Sequence, residues 1–115
     1  MPQYLALTYT ADVDWSEPER ASEMADYRWF AAIHADQIKA RAVLEPTNAA
    51  TVVRVEGGRG GEVVTTEGAY AQTERALTGY YLIDADDLDA AVQIAADLPA
   101  AWTGAVEIRP VLSTY

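Results

Sequence analysis

The sequence predicts an α+β domain, a single sheet with two helices packed on one of its faces. Three observations carry that prediction. Segments of strand period stand near both ends and in the middle of the chain, an apolar arc of helical period fills residues 16–41, and a second helical stripe follows an acidic cap at Asp86. The resulting order is strand, long helix, hairpin, strand, helix, strand.

Pro2 to Thr10 alternates, with Leu5, Leu7 and Tyr9 on one side and Tyr4, Ala6 and Thr8 on the other, which is a first strand. Ser16 followed by Glu19 has the spacing of a capping box, and Pro18 is tolerated where first-turn amides lack an intrahelical partner. A helix is therefore expected from there to about Arg41. At about 100° per residue, Met24, Tyr27, Phe30, Ala31, His34, Ala35, Ile38 and Ala42 share one arc, whereas Trp29 and Ile33 fall on the far side. A tryptophan there suggests a second buried surface, most simply a dimer contact, although single exposed tryptophans are common.

Thr51-Val52-Val53-Arg54-Val55 and Glu62-Val63-Val64-Thr65-Thr66 are β-branched strands, joined by the glycine-rich loop Glu56-Gly57-Gly58-Arg59-Gly60-Gly61. Because that loop leads into no helix, it lacks the converging amides of a phosphate cradle. A turn at Glu67-Gly68-Ala69-Tyr70 follows, then a helical turn over Ala71 to Ala76 and a strand from Leu77 to Asp84. Asp86 is expected to cap a helix from Asp87 to Leu98, with Leu88, Ala91, Val92, Ala95 and Ala96 as its buried stripe and Pro99 as its stop. Ala105 to Val111 is the last strand. Two helices cover one sheet face, so the other must be polar or must meet another subunit.

At 115 residues the chain is a single domain able to bury its own core without staples. It has no cysteine, which excludes disulfides, thiolate zinc sites and cysteine nucleophiles. A formal net charge of -10 and scattered basic residues exclude a nucleic-acid surface. No apolar run approaches the roughly 20 residues of a membrane span, and no leader is recognisable, so a cytoplasmic protein is expected. Carboxylates such as Asp84, Asp86, Asp87 and Asp89 read as helix capping rather than calcium ligation, and a lone histidine makes a poor transition-metal site. Neither metal nor cofactor is expected.

Thr66-Glu67-Gly68-Ala69-Tyr70, Glu74, Gly79-Tyr80-Tyr81-Leu82-Ile83, the helix start Asp86-Asp87-Leu88-Asp89-Ala90-Ala91 and Val106-Glu107-Ile108-Arg109-Pro110-Val111 together resemble the YCII-related family in its DGPF-domain branch. Ala49 to Val55 resembles the strand before that motif. The likeness covers roughly the last two thirds of the chain. Of the Asp-Gly-Pro-Phe turn that names the branch only Gly68 is unchanged, with Glu67, Ala69 and Tyr70 at the other positions. The resemblance implies a ferredoxin-like βαββαβ sandwich that pairs through its sheets into a dimeric α/β barrel, with a pocket between sheet and helix or within the barrel. It also implies small-molecule enzymes, in the manner of cofactor-free lyases and isomerases.

Several residues are candidates for chemistry. His34, the one histidine, lies within the apolar arc, where an imidazole can serve as general acid or base or be packed against a carbonyl. Glu67 and Tyr70 belong to the turn, with Gly68 supplying a positive φ. Glu107 and Arg109 share one strand face, which is the open face if Val106 and Ile108 pack under the helices. There they would bind substrate or pair with each other. Tyr80 and Tyr81 point to opposite faces, and Arg54, out of step with Val53 and Val55, is expected on the open face. The functional expectation is a homodimeric, cofactor-independent enzyme acting on a polar small organic molecule by acid/base chemistry. His34, Tyr70 and Glu67 would be catalytic, and Arg54, Tyr80, Glu107 and Arg109 would bind substrate. The alternative is a non-catalytic module of the same fold that binds a metabolite or a protein.

Overall fold

A computed structural model describes residues 1–112. Its elements are β1 (Gln3–Thr10), α1 (Ala21–Ile33), β2 (Ile38–Val43), β3 (Thr51–Glu56), β4 (Glu62–Glu67), β5 (Ala76–Asp84), α2 (Leu88–Ala95), α3 (Pro99–Thr103) and β6 (Ala105–Pro110). Strands β2, β5, β1 and β6 form, in that order, one antiparallel sheet, while β3 and β4 form a separate two-stranded sheet. With the hairpin set aside, the order β1-α1-β2-β5-α2-β6 is the ferredoxin-like α+β arrangement.

That arrangement is reached with a strand where helix was expected. The helix predicted to run from Ser16 to Arg41 is confined to Ala21–Ile33, after a 3-10 turn at Pro18–Arg20. It stops at His34, whose carbonyl accepts the amides of Gln37 and Ile38 at 3.0 and 3.1 Å. Ile38–Val43 then extends along the free edge of β5, with Ile38 opposite Ile83 and Val43 opposite Gly79. Lys, Ala and Arg favour a helix, but the unpaired edge of β5 offers them a ladder that local propensity does not register. The expected capping box is absent too. Ser16 donates from its amide and its hydroxyl to Asp14 Oδ1, at 2.9 and 2.6 Å, and so closes a turn ahead of the helix.

Two smaller expectations shift similarly. Asp87, not Asp86, caps α2, accepting the Ala90 amide at 2.8 Å. Of the expected stripe Ala91 and Ala95 are buried, joined beyond the helix by Leu98, while Leu88, Val92 and Ala96 are exposed. The helix ends at Ala95 rather than Leu98, and Pro99, expected to stop it, instead opens α3. Residues 71–75 form bends rather than a helical turn.

The core lies between the sheet and the helices. Tyr4 and Ala6 from β1, Tyr81 and Ile83 from β5, Phe30 from α1 and Ala91 and Ala95 from α2 form one buried cluster, with Val106 and Ile108 of β6 packed against it. Thr8, Thr10 and Thr78 are buried on the same face and satisfy one another, Thr78 Oγ1 lying 3.2 Å from Thr8 Oγ1 and 2.8 Å from Thr10 Oγ1.

The opposite face carries Leu5, Leu7 and Tyr9 beside Tyr80, Leu82 and Leu77, all only half-buried or exposed. No helix of the described residues covers it. The β3–β4 hairpin projects away, which accounts for a radius of gyration of 16.1 Å against about 13 Å for a compact chain of this length. Gly57, Gly58 and Gly60 take positive φ in its loop, as a tight reversal requires. Arg54 lies exposed on this hairpin opposite Val64, outside the four-stranded sheet, so the expectation that it shares the open face is not met. No helix of the described residues is long and apolar enough to cross a membrane.

Candidate functional site

The turn that ends the hairpin shapes a broad concavity. Gly68 adopts φ 95°, a region that side chains with a Cβ rarely enter, and its amide donates to Ala50 O at 2.9 Å, closing the base of the hairpin. The chain that follows, from Gly68 to Thr73, faces the β2–β3 connection from Leu44 to Ala50 across a cleft of about 880 Å³. Tyr9 and Leu77 form its floor, so the cleft opens at one end of the uncovered sheet face.

Asp12 fixes the far wall. It accepts the Thr47 amide at 2.9 Å and the Thr47 hydroxyl, and those hydrogen bonds hold its carboxyl below the usual carboxylate range. A carboxylate so committed is a poor proton acceptor and a good brace. Tyr70 lines the same cleft and is 78% exposed, which leaves its phenol free to meet a ligand. Glu67 ends β4 opposite Thr51, next to the cleft but outside its lining.

The open sheet face carries the next group. Glu107 lies opposite Leu7 and Arg109 opposite Leu5, and their side chains pair at 3.4 Å while Val106 and Ile108 point to the core. Tyr80, also opposite Leu7, is half-buried beside them, and Tyr81 is buried on the other face. At the far end of the face Asp84 accepts from Gln3 at 3.0 Å and pairs with Lys39 at 3.6 Å.

His34 stands apart from both places. As the residue that ends α1, it packs its ring at 5.0 Å from that of Phe30 and brings Nε2 within 2.9 Å of Asp97 Oδ2, just beyond α2. The imidazole thus joins two helices in the covering layer. The structure brings Glu107, Arg109 and Tyr80 together on one face and Tyr70 to the adjoining cleft, but leaves His34 in the helix layer and Arg54 on the hairpin. Among the described residues no cluster of three or more His, Cys, Asp or Glu side chains is arranged to hold a metal.

Sequence reasoning missed the cleft's far wall, because the register of Asp12 on Thr47 depends on a β2 that was taken for helix. It also missed the partner of His34, since Asp97 is 63 positions away and only the packing of α1 on the α2–α3 corner brings it near.

The comparisons agree with this architecture. An uncharacterized protein of Rhizobium meliloti (strain 1021) is 36% identical over 101 residues, which covers 84% of this chain and 79% of that protein. The family model for the YCII-related domain matches residues 3–114. With that match running almost from end to end, and the ferredoxin-like sheet in place beneath it, this chain belongs to the YCII-related family.

Proposed function

We propose that the protein is a small homodimeric, cofactor-independent enzyme of the DGPF-domain branch, acting on a polar small organic molecule by acid/base chemistry of lyase, isomerase or cyclase type. Two copies pair through their open sheet faces into a dimeric α/β barrel, and the substrate lies in the cleft that runs onto that face. The observation that supports this most directly is the position of the family's motif turn. It walls a cleft of about 880 Å³, a size suited to a metabolite, and brings the phenol of Tyr70 to it.

Tyr70 and the neighbouring Glu67 are then the first proton-transfer candidates, with Tyr80, Glu107 and Arg109 orienting the substrate from the sheet. His34, fixed by Asp97 in the helix layer, comes last among the catalytic candidates, and Arg54 last among the binding ones. A second reading, a binding module without catalysis, is favoured by one observation: His34, Tyr70 and Arg109 occupy three different places.

Deuterium incorporation separates the two. Incubated in D2O with a panel of enolisable carbonyl compounds, an acid/base enzyme of this kind should exchange a substrate C–H, read by proton NMR. Tyr70→Phe should slow that exchange by about 100-fold, the ordinary worth of a positioned acid or base. Binding without exchange selects the second reading. Neither binding nor exchange, together with a monomer at micromolar concentration in sedimentation, would refute both.

A further inference from the structure

The edge of the sheet beneath α1 holds a group of hydrogen-bond donors that no acceptor of the described chain satisfies. Arg41 on β2 is the Cα partner of Tyr81 on β5, so the two side chains stand side by side on the helix-covered face. Tyr27 and Arg28 come to the same place from α1. These four line a shallow pocket of about 260 Å³, completed by the apolar side chains of Met24, Ala42 and Val43.

Its inner wall continues to Trp15, which shares with it Met24, Tyr27, Val43 and Tyr81. Trp15 is buried, its ring packs edge-on to Tyr27 with centroids 6.0 Å apart, and its indole Nε1–H has no hydrogen-bond partner among the described residues. An orphaned buried donor of this kind costs about 1–3 kcal/mol and calls for a cause. Arg28 and Arg41 pair with no carboxylate among the described residues, although the chain carries a net charge of -10, and neither Tyr27 nor Tyr81 has a side-chain hydrogen bond there. Glu23, the acid that bears on Tyr27, is committed to Arg20 at 3.1 Å.

The geometry points to a binding site for a small organic carboxylate at the α1–β2 edge, its oxygens received by Arg28, Arg41 and the Tyr27 and Tyr81 hydroxyls and its apolar body lying against Met24 and Val43. A flat carboxylate presents two oxygens to two guanidiniums, and two phenols donate to the same atoms. Phosphate fits less well, because a pocket walled largely by carbon offers it no set of backbone amides. Burial raises both phenols, that of Tyr27 to about 12, so each keeps its proton and donates at any ordinary pH. This site is on the helix-covered face, and of the residues lining the cleft at the Tyr70 turn it contains none.

The test is a titration of the uniformly 15N-labelled full chain with sodium benzoate, and separately with inorganic phosphate, followed on the three indole cross-peaks after assignment by Trp→Phe replacement. The Trp15 peak should move saturably with benzoate while those of Trp29 and Trp102 stay in place. Arg41→Gln, an exposed position whose change leaves the amide spectrum dispersed, should weaken binding at least about tenfold, as loss of a charge-assisted pair does. Tyr27→Phe should weaken it less. A Trp15 peak that benzoate moves no more than the other two, tighter binding of phosphate than of benzoate, or unchanged affinity in Arg41→Gln would each overturn the assignment.

Discussion

The two faces of the four-stranded sheet are built from alternate residues of the same strands, yet the face left uncovered also carries a line of large apolar side chains. Under the helices β1 contributes Tyr4, Ala6, Thr8 and Thr10, and β5 contributes Thr78, Tyr81 and Ile83. On the open side the same strands present Leu5, Leu7, Leu82 and Leu77. A face meant for water alternates to polar residues. Here the covered side carries Tyr4, Tyr81, Ile83, Val106 and Ile108 among its hydroxyls and small residues, and the open side sets its leucines beside Glu107, Arg109 and Asp84. Large apolar side chains are thus not confined to the covered face of this sheet.

The largest expected effect contrasts a residue of each face. Phe30 is fully buried and packs edge-on to Tyr81 at 5.1 Å, so Phe30→Ala should cost about 3–5 kcal/mol of unfolding free energy in a urea titration, enough to unfold a marginal domain. Leu82→Glu should barely change the stability of an isolated subunit, since the side chain is only half-buried. If the open faces pair as proposed, it should nevertheless raise the dimer dissociation constant by at least about 30-fold, the mark of a central interface residue. Sedimentation showing wild type and Leu82→Glu in the same state would break the link between the outward leucines and assembly.

The same contrast explains what could be read from the chain beforehand. Alternation in β1 and β6 fixed which residues share a face, and the pair Glu107 and Arg109 was correctly placed with each other because a period of two depends only on local geometry. Residues 38–43 were misread because Ile38 and Ala42 also satisfy a helical period, and their state is decided by the edge of β5 some forty positions later. Reading these residues as helix hides Arg41 from Tyr81 and leaves the hairpin to supply sheet strands that β2 in fact provides. Nothing local could show that β3 and β4 pair only with each other, since their runs of β-branched residues suit a strand of the main sheet equally well. The turn at Gly68 was legible, because positive φ narrows the choice of residue, whereas the His34–Asp97 contact required the helix packing to be known.

A middle-sized effect sharpens the comparison on the covered side. Tyr27 is raised to about 12, first by burial and then by Tyr81 and Glu23, against the 10.0 of a free phenol. The folded state therefore holds this proton where the unfolded chain has released it. Above the unfolded value the unfolded chain binds fewer protons, so the stability gained from keeping Tyr27 neutral in the fold is lost as pH rises from about 10 towards 12. Urea midpoints should fall across that window. Tyr27→Phe should flatten the fall, leaving the weaker contribution of Tyr81, and an unaltered slope in that variant would assign the alkaline loss elsewhere.

The smallest effect belongs to the open face. Glu107 and Arg109 pair at 3.4 Å with side chains 49% and 62% exposed, so solvent screens the attraction and an isolated pair is worth at most about 1 kcal/mol. Glu107→Gln should shift the urea midpoint of a monomeric subunit within error, and adding salt should do no more. The same substitution examined in an assembled dimer has a different expectation, because pairing of the faces would dry the site and leave the Arg109 guanidinium without its carboxylate. A loss of dimer stability that exceeds the monomer effect, and that Arg109→Gln in the same chain reverses in part, would locate the pair inside the interface. Equal and negligible effects in both states would put it at the rim, where it could meet solvent or a ligand but contribute nothing to assembly.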